Sequence, residues 1–428
     1  MEDKVVCAVL PGFKTDQSAP PEQVIDNGAP VERIALLGAD LPGLRPKFTC
    51  AEGDRISRGQ PLFCDRAHPE INFVAPLSGL VDSITLGPRR SLSALVIRVE
   101  PEPDAPAPQR VAASTAAELR TMLLAQGLWP SFLTRPFGRT PAPDVTPDAI
   151  FVTATAEGPH APDPRVVLEG RHEQFRAGLK ALALLTAGPV YACQNSGTDI
   201  AAGLGERIRG SFFPAGHASG LAGSHIHRLH PVGARTMVWS IGYQDVVAIG
   251  SLIETGIADF SRVVSLSGPR ARHPRLIRTS IGANLQDLIS DDILPGRDGS
   301  AVSVVSGSAL TGRPAAWLGR YHQQVTLLDD RAAQKPEPGT GWLAKLRKPS
   351  SRPGPIVPTS ALETMLGFDT PAVPFLRALS VGDAETASRL GCLEMLEEDL
   401  AAVSLVCTSG ADYGRMLRHV LDELAEDA

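Results

Sequence analysis

The sequence predicts a multidomain α/β protein, and three observations carry that prediction. A chain of 428 residues is too long for a single hydrophobic core. Strand-like and helix-like runs alternate at parallel-sheet spacing through its middle, between two β-rich stretches. Two proline-rich segments, 101–108 and 331–358, interrupt the hydrophobic pattern and read as linkers.

Taken in order, residues 1–30 read as an extended, turn-rich N-terminal arm, in which Pro20-Pro21 opens a short Glu22-Gln23-Val24-Ile25 segment. Residues 31–100 read as a compact β-module. Gly53 and Gly59 bracket short apolar-alternating runs, Pro76 and Gly79 punctuate the next pair, and the strand Ala94–Val99 closes it. This spelling resembles the biotinyl/lipoyl type of barrel-sandwich module, which presents a lysine on a hairpin tip. Here the tip, Phe63 to Val74, contains no lysine, so no swinging arm is attached.

After the linker at 101–115, residues 116–258 read as a Rossmann-like α/β domain. Ser114 or Thr115 caps a helix with Glu118 following at capping-box distance. Ala149–Ala154 reads as a buried strand, Phe175–Leu185 as an amphipathic helix, Gly188–Cys193 as a short strand and Asp199–Arg209 as a helix. In 259–330, the strand–glycine units Arg262–Gly268 and Ala301–Gly307 flank a short capped helix at Gly282–Ile289. That order predicts a β-grasp module. The linker at 331–358 carries six prolines and a net charge of +5, and 359–428 is helical and acidic, at net −9.

Composition narrows the function. Hydrophobic residues at 43% and charged residues at 21% describe an ordinary globular protein. A net charge of −6 and only 5% aromatics argue against a nucleic-acid partner, since neither electrostatic attraction nor base stacking is provided for. The apolar run Val5–Leu10 ends at Pro11-Gly12, so no signal peptide is expected. No stretch approaches the roughly 18 apolar residues of a membrane span. The expectation is a cytoplasmic protein or a peripheral component of a larger assembly. Cys7, Cys50, Cys64, Cys193, Cys392 and Cys407 form no C-x-x-C pair, which favours buried reduced thiols over zinc or iron–sulfur ligation.

The segments that draw attention chemically are few. After Phe151-Val152-Thr153 the chain reads Ala154-Thr155-Ala156-Glu157-Gly158-Pro159-His160, without the glycine-rich turn that lets backbone amides approach a dinucleotide phosphate. Gly203, Gly205 and Gly210 have the wrong spacing. No NAD or flavin site is therefore expected on this chain. His217 and the run His225-Ile226-His227-Arg228-Leu229-His230 put two imidazoles on one face if the run is a strand. With no carboxylate close in sequence, imidazoles bonding backbone carbonyls are favoured over a metal site. Trp239–Val246 and Gly319–Gln324 suit either a pocket lining or the satisfaction of backbone groups. No nucleophile elbow, P-loop or paired-carboxylate pattern stands out, so no catalytic residue is assigned. Two apolar loops carry an embedded arginine, Leu36–Pro46 and Trp129–Arg139. Each suits inter-domain packing or a groove for a flat apolar ligand or a partner protein. Gly341–Lys348 is a short basic amphipathic piece, suited to docking at a membrane surface or to a solvated linker.

Several passages in collinear order carry a family resemblance. They are Glu32–Gly38, Thr134–Phe137, Ala149–Ala154, Gly223–His227, Trp239–Val246, Leu318–His322 and Leu390–Glu394. From about Pro21 to Leu424 the chain resembles the A-subunit family of the bacterial Na+-translocating NADH:quinone oxidoreductases (Na+-NQR). The resemblance implies a barrel-sandwich hybrid, a Rossmann-like layer, a β-grasp (SLBB-like) module and a C-terminal helical domain. This arrangement is similar to the flavin-bearing part of respiratory complex I after loss of flavin and cluster. It further implies a peripheral location on the cytoplasmic face of the inner membrane, with the other subunits of the complex as partners and chiefly a membrane-embedded one. The complex passes electrons from NADH through FMN, FAD, riboflavin and iron–sulfur centres to ubiquinone and drives Na+ export, whereas this component holds no cofactor and is not catalytic alone. Cys392 and Cys407 are the only cysteines of the helical tail, where a cluster needs four ligands.

Carried over residue by residue, the resemblance implies ubiquinone contact at Leu37, Gly38, Pro42, Gly43 and Leu44, and at Phe132, Arg135, Pro136 and Phe137. Arg135 would hydrogen-bond a quinone carbonyl, and Phe132 and Phe137 would pack the ring. The chain departs from the family in a polar arm at Gly12–Gln17, and after Cys407, where the usual Pro-Gly-Lys is replaced by Thr408-Ser409-Gly410. Two rival readings are an NADH- and FMN-binding electron-input component of the related ferredoxin–NAD oxidoreductase complex, and a cofactor-free scaffold.

Overall fold

The computed structural model describes residues 18–28, 30–101, 109–111, 113–158, 160–233, 235–296, 301–330 and 354–426. Cys7, the polar arm Gly12–Gln17, Gly341–Lys348 and most of both linkers lie outside the described residues.

A five-stranded sheet forms the α/β layer, in the order Ile208–Phe212, Val190–Gln194, Ala149–Ala154, Val238–Gly242, Leu133–Arg135. The first four strands are parallel and the last is antiparallel. Ala149–Ala154 lies between two parallel partners and is buried along nearly its whole length, which is why its sequence is an unbroken apolar run. The chain steps outward from it to Val190–Gln194 and Ile208–Phe212, then returns to its other side at Val238–Gly242. The sheet thus reverses its winding direction beside Ala149–Ala154, and the crevice at the carboxyl ends of those two strands is where such sheets ordinarily bind ligands.

The helices His172–Leu185 and Tyr243–Thr255 pack against each other at unusually close range. A Cβ on Gly178 would lie 2.1 Å from the Val246 carbonyl oxygen, and one on Gly250 would lie 1.7 Å from the Gln174 carbonyl oxygen. The helix Ala116–Ala125 begins with the expected capping box. Glu118 N donates to the Thr115 side chain, and the Glu118 carboxylate accepts from Thr115 N. The helix expected over Asp199–Arg209 does not form. Turns lead into the strand Ile208–Phe212, because Gly197, Gly203 and Gly205 all adopt positive φ. Gln194 holds this loop from inside, accepting from Ile200 N and donating to the Ser196 and Thr198 carbonyls.

The N-terminal module is two small antiparallel sheets, one of Arg33–Leu37, Leu92–Val99, Gly79–Leu86 and Arg55–Ile56, the other of Pro46–Phe48, Pro61–Asp65 and Asn72–Val74. Their facing side chains share one hydrophobic core with the α/β layer. The six-stranded sheet of the third module runs Glu22–Asp26, Arg275–Ser280, Ser261–Ser267, Gln324–Asp329, Val302–Ser306, Arg313–Pro314. Its first strand comes from the segment read as part of an extended arm. Glu22–Asp26 pairs in parallel with Arg275–Ser280, a partner some 250 residues away that no local pattern reveals. The short helix Leu285–Ile289 is capped by Asn284, which accepts from Gln286 N and Asp287 N. The C-terminal helices close on a separate core containing Phe375, Leu376, Tyr413, Leu417 and Val420. Among the described residues, no helix is long and apolar enough to cross a membrane.

Candidate functional site

The first arginine-bearing loop grows out of the strand Arg33–Leu37 through a 3-10 turn at Gly38–Asp40. Gly38 is required there, since a Cβ would meet the Leu92 carbonyl oxygen at 1.8 Å. Leu41 is buried and anchors the loop, Leu37 and Leu44 are half-buried, and Pro42 and Gly43 form an exposed tip. Gly43 has a φ of 80° and open space around its Cα.

The second loop is an interior element. Trp129, Phe132 and Trp239 make a mutual aromatic cluster with ring centroids 5.3 to 5.5 Å apart, and all three are fully buried. Arg135 is 1% exposed. Its Nε donates to the Glu394 carbonyl (3.3 Å), its Nη1 to Ser240 Oγ (3.5 Å), and its Nη2 to the Glu398 carboxylate (3.5 Å). The Arg135–Pro136 peptide is cis, and Phe137 has a φ of 80°. Arg418 of the C-terminal helix grips this turn. It donates from Nη1 to the Phe137 carbonyl (2.7 Å) and forms a two-pronged pair with Glu397. Of the residues singled out in sequence, Phe132, Arg135 and Pro136 are interior. Leu37, Gly38, Pro42, Gly43, Leu44 and Phe137 keep solvent contact.

A polar chain joins the two loops. Asp40 accepts from Arg313 and, at 2.9 Å, from the Arg320 backbone N–H. The Arg320 side chain donates from Nη2 to Ser131 Oγ (3.0 Å), Ser131 Oγ donates to Asp245 Oδ1 (2.9 Å), and Asp245 pairs with buried Arg262. Tyr321 OH adds a bond to the Pro130 carbonyl (2.8 Å). Asp40, Ser131, Asp245 and Arg320 all lie in segments that are conspicuous in the sequence. Their pairing spans up to 280 residues, and only the tertiary structure reveals it.

Beside this chain, the crevice at the strand ends is shallow and partly open to solvent, lined by Thr155, Glu157, Ser308, Thr311 and His322. Thr155 Oγ1 donates to the Gly220 carbonyl (2.7 Å), which ties the segment around Gly220 to the residue that follows the strand Ala149–Ala154. Glu157 is exposed at the crevice, and the protein packed around it, with the Glu398 charge nearby, raises its carboxyl above the usual range. Asp399 is 4% exposed and accepts from Leu396 N with one oxygen, while the other has no partner among the described residues. Burial, reinforced by Glu398, pushes it up to about 8.

A folded carboxyl that holds its proton while the unfolded one releases it favours the native state fully below about pH 4. That advantage is then lost as pH rises towards the folded value. Stability should therefore fall between about pH 4 and about pH 8, and Asp399→Asn should flatten that decline. Thermal unfolding of both proteins at about pH 5 and about pH 9 checks this. Identical slopes would show that Asp399 holds no buried proton.

The histidine run lies on the helix Ala222–Leu229 rather than on a strand, so its two rings face different ways. His225 Nε2 bonds the Ser219 carbonyl at 2.9 Å, as the carbonyl-bonding expectation has it, and burial pushes it down to about 4. His227 meets carboxylates the local sequence does not offer. Its Nδ1 lies 2.6 Å from Glu394 Oε2, and its Nε2 accepts from Asp369 N. Gln244 of the Trp239–Val246 segment satisfies both backbone groups of Val263.

Three family profiles match this chain. They describe the NqrA N-terminal barrel-sandwich hybrid domain (residues 9–100), the NqrA second alpha/beta domain (114–258) and the NQRA C-terminal domain (263–316). The A subunit of the Na(+)-translocating NADH-quinone reductase of Pasteurella multocida is 36% identical, with 97% of this chain and 98% of that one aligned. The corresponding proteins of Vibrio parahaemolyticus and Shewanella frigidimarina are 37% and 38% identical over 95% and 97% of this chain, and 96% and 98% of theirs. The chain belongs to this family. Its barrel-sandwich, α/β and SLBB-type modules and its helical C-terminus are thus those of the A subunit of Na+-NQR. A distant likeness to an NAD+-reducing NiFe-hydrogenase covers 73% of this chain and 62% of that one. It has 15% identity and a TM-score of 0.38, too low to carry a fold argument.

Proposed function

We propose that this chain is the peripheral, cytoplasmic-face A subunit of a Na+-translocating NADH:ubiquinone reductase, and that it contributes to ubiquinone contact and to assembly with a membrane-embedded partner. In this reading it carries no redox cofactor and does not catalyse alone. NADH oxidation and Na+ export belong to the whole complex. The observation that supports it most is the end-to-end alignment with the A-subunit relatives, which leaves no module of theirs unaccounted for.

The two loops share the quinone role unequally. Pro42, Gly43 and Leu44 with Leu37 offer an apolar, solvent-accessible tip, and Phe137 offers a half-buried ring. Phe132, Arg135 and Pro136 support that surface from within. Affinity purification from detergent-solubilised membranes, followed by an absorption spectrum, tests the reading. The expected result is a co-purifying membrane complex with flavin and iron–sulfur absorbance around a colourless isolated chain. A chain that comes down alone and colourless points to the scaffold, and one that comes down alone and yellow overturns the absence of cofactor.

A further inference from the structure

We propose that the hairpin turn at Arg89-Arg90, with the neighbouring loop at Leu44-Arg45, docks on the anionic headgroups of a lipid bilayer, an inference that rests on the peripheral location proposed above. The strands Gly79–Leu86 and Leu92–Val99 are joined by a tight turn. In it Ser91 N donates to the Pro88 carbonyl (3.1 Å) and Gly87 N to the Ser91 carbonyl (2.8 Å). Its two central residues, Arg89 and Arg90, have φ of 54° and 60°. Glycine and asparagine adopt such angles readily, whereas the Cβ of other residues crowds the following carbonyl, so Asn-Gly is the pair such a turn favours. Phe137 is the only other non-glycine residue with positive φ among the described residues. Two arginines thus occupy the tip at a conformational cost. Both are exposed, and among the described residues no carboxylate forms an ion pair with either.

The surroundings say what the arginines suit. Leu86, at the end of the first hairpin strand, keeps 38% exposure. Gly38 packs directly on the Leu92 carbonyl just past the turn, so the first loop leaves its strand beside it. The tip of that loop repeats the composition, with half-buried Leu44 next to exposed Arg45. Its carboxylate, Asp40, is neutralised by Arg313, and Asp65 nearby accepts from Arg45 N and Ala67 N. Guanidinium forks match phosphate oxygens in two-pronged bonds, and the boundary between headgroups and acyl chains accepts leucine beside them. A narrow turn is too small for a stable protein interface, which takes about 800 Å² from each partner. Neither tip carries an aromatic ring on which a nucleic-acid base could stack. The chain's net charge of −6 turns the rest of its surface away from an anionic membrane, so the two tips also set the orientation of the molecule.

The test is co-sedimentation of the full chain with two kinds of vesicle, phosphatidylcholine alone and equal parts phosphatidylcholine and phosphatidylglycerol. Binding to the anionic vesicles is expected and should weaken with added salt, and the double variant Arg89→Asn/Arg90→Gly should weaken it about tenfold. That variant gives the turn the pair it favours, so its Tm should equal or exceed the parent's and misfolding cannot imitate the loss. Equal binding by parent and variant overturns the role of the turn, and equal binding to both vesicles overturns headgroup recognition. A parent that binds neither vesicle overturns the proposal. If the variant then also fails to co-purify with a membrane complex that the parent brings down, the turn docks on protein instead. A parent that binds anionic vesicles but brings down no membrane complex supports the lipid contact and overturns the assembly reading.

Discussion

Replacing Arg135 with alanine should both loosen the seam between the α/β layer and the helical domain and slow quinone reduction by the assembled complex. The side chain is 1% exposed and crosses that seam to the Glu394 carbonyl and the Glu398 carboxylate. Removing one partner of a buried, hydrogen-bonded ion pair costs about 3 kcal/mol or more when the other charge is left enclosed. Glu398 keeps 36% of its side-chain exposure, so the loss should fall at the lower end of that range. The seam has other supports, His227 on Glu394 and Arg418 on the Phe137 carbonyl, so the domains should stay together with a lowered Tm. The expected functional result is reduced turnover with quinone and near-normal NADH oxidation by an artificial acceptor. Normal quinone kinetics in an intact Arg135→Ala complex would remove the second loop from the quinone surface. An unchanged Tm would remove Arg135 from the seam.

Gly250→Ala should be among the most damaging single methyls at the described glycines. A Cβ there meets the Gln174 carbonyl oxygen at 1.7 Å, and Gln174 cannot yield without dragging the helix His172–Leu185 with it. The same pair of helices meets again at Gly178, whose Cβ would strike the Val246 carbonyl oxygen at 2.1 Å. Forcing the helices apart disturbs the buried Leu179, Leu182, Val246 and Ile249 that cover one face of the parallel sheet. Overpacking usually costs about 1–3 kcal/mol, and a collision with backbone belongs at or above the top of that range. The variant is expected to be largely insoluble, or to unfold many degrees below the parent. A soluble Gly250→Ala with parental Tm would show that these helices do not sit this close. Gly43→Ala is a useful contrast, since nothing lies near its Cα and only its φ of 80° opposes a side chain.

Where sequence and structure agree, the determining forces are local. The capping box at Thr115 and Glu118, the Asn284 cap and the strand Ala149–Ala154 rest on spacing and on unbroken apolar runs. Where they part, long-range contacts or glycine conformations decide. Asp199–Arg209 has helical apolar spacing but three glycines in or beside it at positive φ. Glu22–Asp26 is a strand only because Arg275–Ser280 lends it an edge. The histidine run took a helical period, and its carboxylate partner arrives from the helical domain.

By itself the sequence determined the family, the modules and the two loops that merit attention. Each is written in contiguous residues, in turn glycines, apolar periods and collinear motifs. Only the tertiary structure decided which of those loop residues face solvent and which are walled in. It also decided that Asp40, Arg320, Ser131 and Asp245 form one chain between them. The reason is physical. Burial and ion pairing depend on what the rest of the chain brings to a residue, and the partner of Asp40 lies 280 positions away.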